Sequence, residues 1–218
     1  MNLYKLTYFI GLNILLSTIC FGQKVQEFEG KITYKHFVTA IDSLYNVEDD
    51  YEYAGKTSIF FYKEGNYKWV NDNAYVEMEI FSNSERTSCL KFKENDTILK
   101  LQSNIENEKI IEFSITKNGE NILGKKCDVL IIKAGSNGNL WERRYSFNKD
   151  YKINPESFNN YKYNSTDFIY SKTKSLPLKI ELIFKDRKVT YIAMKIERIE
   201  VPLEIFNFPQ NAIFKNGN

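Results

Sequence analysis

The chain has 218 residues, 43% hydrophobic and 15% aromatic, with 30 Lys and Arg against 28 Asp and Glu. A formal charge of +2 supplies no clustered basic face, which argues against a nucleic-acid partner, and gives no electrostatic reason to sit on an anionic membrane. One histidine, His36, excludes a multi-histidine metal site and a relay of histidines.

Residues 1–22 read as a leader. Lys5 supplies a positive n-region, Leu6 to Phe21 is mostly apolar, and Gly22 is a small residue before a cut. That is the pattern of a secretory signal peptide of roughly 15–30 residues. The run is short for a bilayer span of about 20 residues and no second run follows, so no stable transmembrane segment is expected. Two processing routes stand: cleavage after Gly22, leaving Gln23 first, or lipidation at Cys20, where bulky Ile19 fits a lipobox poorly. Either exports the protein to the periplasm, the outer membrane or the outside. Residues 23–218 then form a single β-rich domain, able to bury roughly 70% of its unfolded surface. Two cysteines remain, Cys89 and Cys127. An even count in an exported chain suggests one disulfide; two separate buried thiols are the alternative.

Gly30 to Thr39 reads as the first strand, with Ile32, Tyr34, His36 and Val38 on one side. Asp42 to Glu52 is a polar, acidic connection. Strands are expected at Thr57–Tyr62, Tyr67–Val70, Tyr75–Phe81, Ser88–Phe92, Thr97–Leu101 and Lys109–Ile115, separated by Asn-, Asp- and Gly-containing turns. In the third of these, Tyr75, Glu77 and Glu79 alternate with Val76, Met78 and Ile80. Lys117–Glu120 reads as a turn. Strands follow at Lys126–Lys133 and Leu140–Phe147, around a Gly135–Asn139 loop. Asn154-Pro155-Glu156 has the residues that start a short helix. Asn159 to Asp167 is Asn-rich and reads as a loop or lid.

Ser175 to Val201 organises the rest. Leu178, Ile180, Leu182 and Phe184 alternate with Lys179, Glu181 and Lys185, and a polar link returns the chain through Val189–Ile196. Val189, Ile192, Ala193, Ile196 and Ile199 also fit a helical stripe, but β-branched and aromatic residues favour a strand. Pro202–Phe206 makes one helical turn, and the tail after Ala212 is expected to fray.

Candidate chemistry is sparse. A Ser-His-Asp arrangement would have to use His36 from a strand interior, where a packed histidine is the simpler reading. Glu48, Asp49, Asp50, Asp42 and Glu52 lack the spacing of an EF-hand loop and read as a solvated connection. Gly135–Gly138 lacks the Lys-Ser/Thr of a phosphate loop. Asp42-Ser43-Leu44 and Asp96-Thr97-Ile98 resemble short O-glycosylation sites, as chance alone would also give. The reading therefore assigns no catalytic residue, cofactor or metal.

Asn121-Ile122-Leu123-Gly124-Lys125-Lys126-Cys127, Ile153–Phe158, Ser175–Glu181 and Phe206-Asn207-Phe208-Pro209 resemble exported Bacteroidetes proteins of unknown function (GLPGLI-type). Those are similar to the lipoprotein-carrier (LolA/LppX-like) superfamily. The resemblance covers roughly residues 119–209. It implies a strongly curved, incomplete antiparallel barrel, with short helices over its open side and an apolar cavity between. The carrier has a basic, apolar-lined groove for acyl chains, and none of its functional residues can be matched here.

Composition, periodicity and resemblance converge on one fold class: mainly β (β-rich α+β), a strongly curved antiparallel sheet or incomplete barrel, with one or two short helices covering the concave side. Aromatics that alternate along strands fill a core, or line a groove where helices leave the concave side open. The groove candidates are Tyr34, Phe60, Trp69, Trp141, Tyr145 and Phe184. The expected function is non-enzymatic binding or carriage of an apolar ligand such as a lipid or acyl chain in the cell envelope. The alternative is a structural or interaction module that docks another envelope protein through sheet edges or exposed aromatics.

Overall fold

The computed structural model describes residues 26–93, 95, 97–208 and 212–217. The expected leader with Cys20, the Asp96 end of one glycosylation-like triplet and the Pro209 end of the resemblance lie outside these residues. The chain forms one twelve-stranded sheet. In chain order come β1 (Gly30–Ala40), α1 (Val47–Ala54), β2 (Thr57–Lys63), β3 (Asn66–Asn71), β4 (Val76–Ser82), β5 (Thr87–Phe92) and β6 (Thr97–Leu101). Then follow β7 (Lys109–Ile122), β8 (Lys125–Ser136), β9 (Asn139–Lys152), α2 (Thr166–Thr173), β10 (Ser175–Ile183), β11 (Arg187–Glu197) and β12 (Ile213–Asn216). Short 3-10 turns occupy Pro155–Phe158, Tyr163–Ser165 and Leu203–Phe206.

The sheet order is β12-β6-β5-β4-β3-β2-β1-β11-β10-β9-β8-β7. Two antiparallel meanders, β1–β6 and β7–β11, are joined where β1 pairs with β11, from Lys31↔Glu197 to Ala40↔Arg187. The sheet is open and curved, as expected. Its curvature follows from the connection between the meanders. From β6 to β7 is ten strand steps across the sheet, about 48 Å if flat. Leu101 to Lys109 spans at most about 29 Å of extended chain. The sheet must curl for its two ends to be joined.

The Ser175–Val201 stretch is a hairpin: β10 pairs with β11 from Lys179↔Ile192 to Ile183↔Lys188, so the strand alternative holds over the helical stripe. Two-residue turns at Leu123-Gly124 and Asn137-Gly138, all at positive φ, match the right-handed twist of the flanking strands.

Four local expectations are corrected. Lys117–Glu120 is not a turn, because β7 runs through it. The Asp128 carboxylate takes Lys117 Nζ at 2.7 Å and Asn118 N at 3.1 Å, and the register shifts between Thr116 and Glu120, so the turn-like residues make a bulge. The Asp42–Glu52 connection runs into α1, which continues to Ala54. Asn46 caps it by accepting from Glu48 N at 3.2 Å, and Glu48, Asp49 and Asp50 complement its N-terminus. Gly55, at φ 74, ends it; a Cβ there would lie 2.3 Å from Asp72 O. The Asn-rich segment leads into α2, which sequence alone did not show. The tail is ordered as β12, pairing parallel to β6 from Ile213↔Thr97 to Asn216↔Lys100.

Cys89 and Cys127 are free and buried, correcting the expected bridge. They sit on β5 and β8 with seven strands between them in the sheet, whereas a disulfide needs Cα atoms within about 7 Å. Cys127 packs in the principal core with Phe28, Ile122 and Tyr151. Cys89 lies beside Ile80, Phe206 and Phe214. Burial pushes the Cys127 thiol up and the Cys89 thiol up to about 11. Without reductant, iodoacetamide will leave both unmodified in the native protein and alkylate both in denaturant, read by peptide mass spectrometry; a bridged pair would resist in both conditions.

Candidate aromatic cavity

Much of the concave side is filled by the chain's own side chains. Phe28, Tyr62, Phe81, Phe158, Leu176 and Leu178 are buried there in the principal cluster. Offset stacks run from Phe60 to Tyr67 to Phe81, with ring centroids at 5.4 and 5.5 Å. What remains open is a cavity of two adjoining lobes, about 200 and 330 Å³. The lobes share Trp69, Glu79, Tyr145, Asn164 and Ile180.

Strand alternation places the walls. On β2 and β3, Phe60 and Trp69 are cross-strand partners with rings edge to face at 5.3 Å. Tyr34 on β1 stacks on Trp69 at 5.1 Å, its hydroxyl donating to Pro177 O at 2.6 Å. Tyr145 on β9 opposes Ile180 on β10. Four of the six groove candidates, Tyr34, Phe60, Trp69 and Tyr145, thus meet in one cavity. The other two do not line it. The Trp141 indole donates to Glu108 Oε2 at 3.1 Å. Phe184 sits in the β10–β11 turn, with the Arg187 guanidinium 4.4 Å from its ring centroid.

Sequence reasoning missed Tyr67, Tyr161, Tyr163, Tyr170 and Tyr191. It also grouped Glu79 with Tyr75 and Glu77 without marking that side as the inward one. In β4 the alternation is inverted relative to the cavity: Met78 and Ile80 pack outward beneath Val201 and Phe206, leaving Glu79 to face in. Two residues could have been found by spacing: Tyr67 lies two before Trp69 on one strand, and Tyr191 lies opposite His36.

The Asn-rich segment is the lid. Tyr161, Tyr163, Asn164 and Thr166 from it line the lobes. Asn160 and Asn164 hold positive φ, which Asn tolerates better than most residues. The β6–β7 crossing grips this lid. Ser103 O accepts from Lys162 N at 2.6 Å and Tyr163 N at 3.1 Å. Asn107 and Asn164 exchange two hydrogen bonds, at 2.8 and 2.7 Å. Beneath them Glu108 and Arg143, both buried, form an ion pair. Glu108 also accepts from Ser165 Oγ at 2.6 Å, and Arg143 donates to Asn164 O at 2.9 Å.

The cavity's one polar hub is Glu79. Its Oε1 accepts from the Tyr67 hydroxyl at 2.5 Å, the Ser88 hydroxyl at 2.6 Å and the Tyr161 hydroxyl at 3.0 Å. Tyr67 and Tyr161 are held well above the ordinary tyrosine range, by burial first and by the Glu79 charge second.

His36 lies apart from these lobes. It is 3% exposed, with Nδ1 2.8 Å from Gly55 O and Nε2 2.8 Å from Ser58 Oγ. A carbonyl only accepts, so Nδ1 carries the proton and Ser58 donates to Nε2. Ser58 is 2% exposed, and its hydroxyl is spent on the ring. Three of the four acidic residues of α1 are engaged too: Asp50 with Tyr45 and Arg187, Asp49 with Asn46 and Glu48 with Lys56.

Among known proteins, no family model and no curated protein matches this chain. Of solved structures, it is similar to PNGF-II in a C2 crystal form, at 15% identity and a TM-score of 0.46, aligning 88% of this chain with 31% of that one. The chain thus spans about a third of that structure's length.

Two outcomes follow. Arg143→Met will cost about 3–5 kcal/mol in urea unfolding by leaving Glu108 charged and buried, and adding Glu108→Leu will recover part of it. Burial lowers the His36 pKa, so the unfolded chain binds the proton more readily. That contribution is complete above about pH 6.5 and is lost as pH falls below it. Between pH 7 and 5.5 the midpoint of thermal unfolding will fall in the native protein and fall less in His36→Gln.

Proposed function

We propose that the protein is an exported, non-enzymatic binder of a small apolar or amphiphilic ligand in the cell envelope, related in fold to the lipoprotein carriers. One observation carries this reading. Between sheet and lid the chain leaves a two-lobed hollow of about 200 and 330 Å³, walled by aromatic rings that pack on one another yet do not close it. Its size sits at the lower end of small-molecule sites, about 300–1,000 Å³. It suits one short acyl chain or a compact apolar body, each buried methylene adding about 0.8 kcal/mol. No helix among the described residues is long and apolar enough to cross a membrane.

One feature favours the second reading, a module that docks another envelope protein. The fourteen-residue β7 ends the sheet and exposes Ile111 and Phe113, an edge open to strand addition. The hollow favours the first reading, because a docking module has no use for it.

Mass spectrometry of protein purified from an exporting host, without detergent, tests the proposal. A mature N-terminus at Gln23 and a co-purified amphiphile are expected. Trp69→Ala will weaken rebinding of that amphiphile by about tenfold or more, some 1.4 kcal/mol, because Trp69 lines both lobes. An intact N-terminus would sink export. A ligand-free sample that also fails to bind an uncharged fluorescent apolar probe would sink binding.

A further inference from the structure

We infer that the ligand of this cavity carries a positively charged nitrogen, a primary or quaternary ammonium joined to an apolar body. This rests on the apolar-ligand reading and names the chemistry of its head group. Among the described residues that line the two lobes, Glu79 alone carries a formal charge; no Lys or Arg is among them. The three hydroxyls that reach Glu79 all converge on Oε1. Among the described residues Oε2 accepts no hydrogen bond and no cation pairs with Glu79. The hydroxyls orient the carboxylate without neutralising it, and one oxygen is left for a ligand. Tyr34, Phe60 and Trp69 line one lobe and Trp69 and Tyr191 the other, and aromatic rings attract a cation. Arg143, whose charge reaches Tyr145 on the cavity wall, is answered by Glu108.

The charge of Glu79 reaches four of the tyrosines that line the lobes. After burial, its charge is the largest influence raising Tyr53, Tyr67, Tyr161 and Tyr163. A fatty-acid carboxylate in this hollow would meet a like charge with nothing to offset it. A single carboxylate is also too few oxygens for Ca²⁺ or Mg²⁺. An organic ammonium answers both the carboxylate and the rings. This differs from the basic groove of the acyl-chain carriers.

Calorimetry on the full chain with three eight-carbon probes tests the inference: octyltrimethylammonium, octanesulfonate and 1-octanol. The ammonium should bind at least tenfold tighter than either of the others. That advantage should shrink with added salt, and in Glu79→Gln the ammonium should bind no tighter than 1-octanol. If Glu79→Gln does not fold, the salt dependence in the native chain decides. Equal or tighter binding of the sulfonate or the alcohol overturns the cationic head group and leaves the apolar-ligand reading standing. Failure of all three probes overturns both.

Discussion

The crossing from β6 to β7 is the constraint on which the rest depends. A short segment must join strands that lie ten steps apart in the sheet. It can do so only if the sheet rolls into a half-barrel and the segment passes across the mouth. Once there, its backbone is far from any ladder and must be satisfied another way. The Asn-rich lid meets that need: Ser103 O takes two lid amides, and Asn107 trades bonds with Asn164. The Glu108–Arg143 pair fixes the register beneath. Removing either charge alone would strand the other in the interior, so the pair ties lid, crossing and β9 into one unit.

That arrangement explains why a hollow survives. Side chains from a concave sheet converge, and most of the converging volume is filled by stacked rings. The lid is held to the crossing by polar bonds along Lys162–Ser165. Hydroxyls rather than methyl groups reach inward from it. Tyr161 and Tyr67 need acceptors when buried, and Glu79 supplies one for both, with Ser88 as a third donor. A carboxylate among aromatic rings is costly unless it is so held. Its presence gives an otherwise neutral cavity a sign.

Where local pattern and tertiary demand agreed, the sequence was readable. The β10–β11 hairpin, the short strands of the first meander and the 3-10 turn after Asn154 follow from alternation and capping residues. Where a residue type serves two purposes, it misled. Asn118-Gly119 has turn chemistry but sits in a bulge, because Asp128 across the strand satisfies the amide. Val47–Ala54 looked like solvated acid, yet the same acids stabilise a helix start. On β4 the alternation was identified correctly but its Met78 and Ile80 side faces outward, since Val201 and Phe206 return to cover it. The cysteines could be counted but not placed.

By itself the amino-acid sequence determined a β-rich chain, near-neutral, rich in rings and poor in reacting groups, with Tyr34, Phe60, Trp69 and Tyr145 on faces that could share a hollow. Strand alternation fixes such things locally, because a side chain's face depends on its position two residues at a time. Only the tertiary structure decided that these four meet, that Trp141 and Phe184 stand apart, that Glu79 turns inward and that the thiols lie seven strands from each other. Those outcomes depend on which strands become neighbours and how tightly the sheet rolls. That is set by one short crossing and a buried ion pair between residues 35 apart in the chain, a long-range choice that no local pattern encodes.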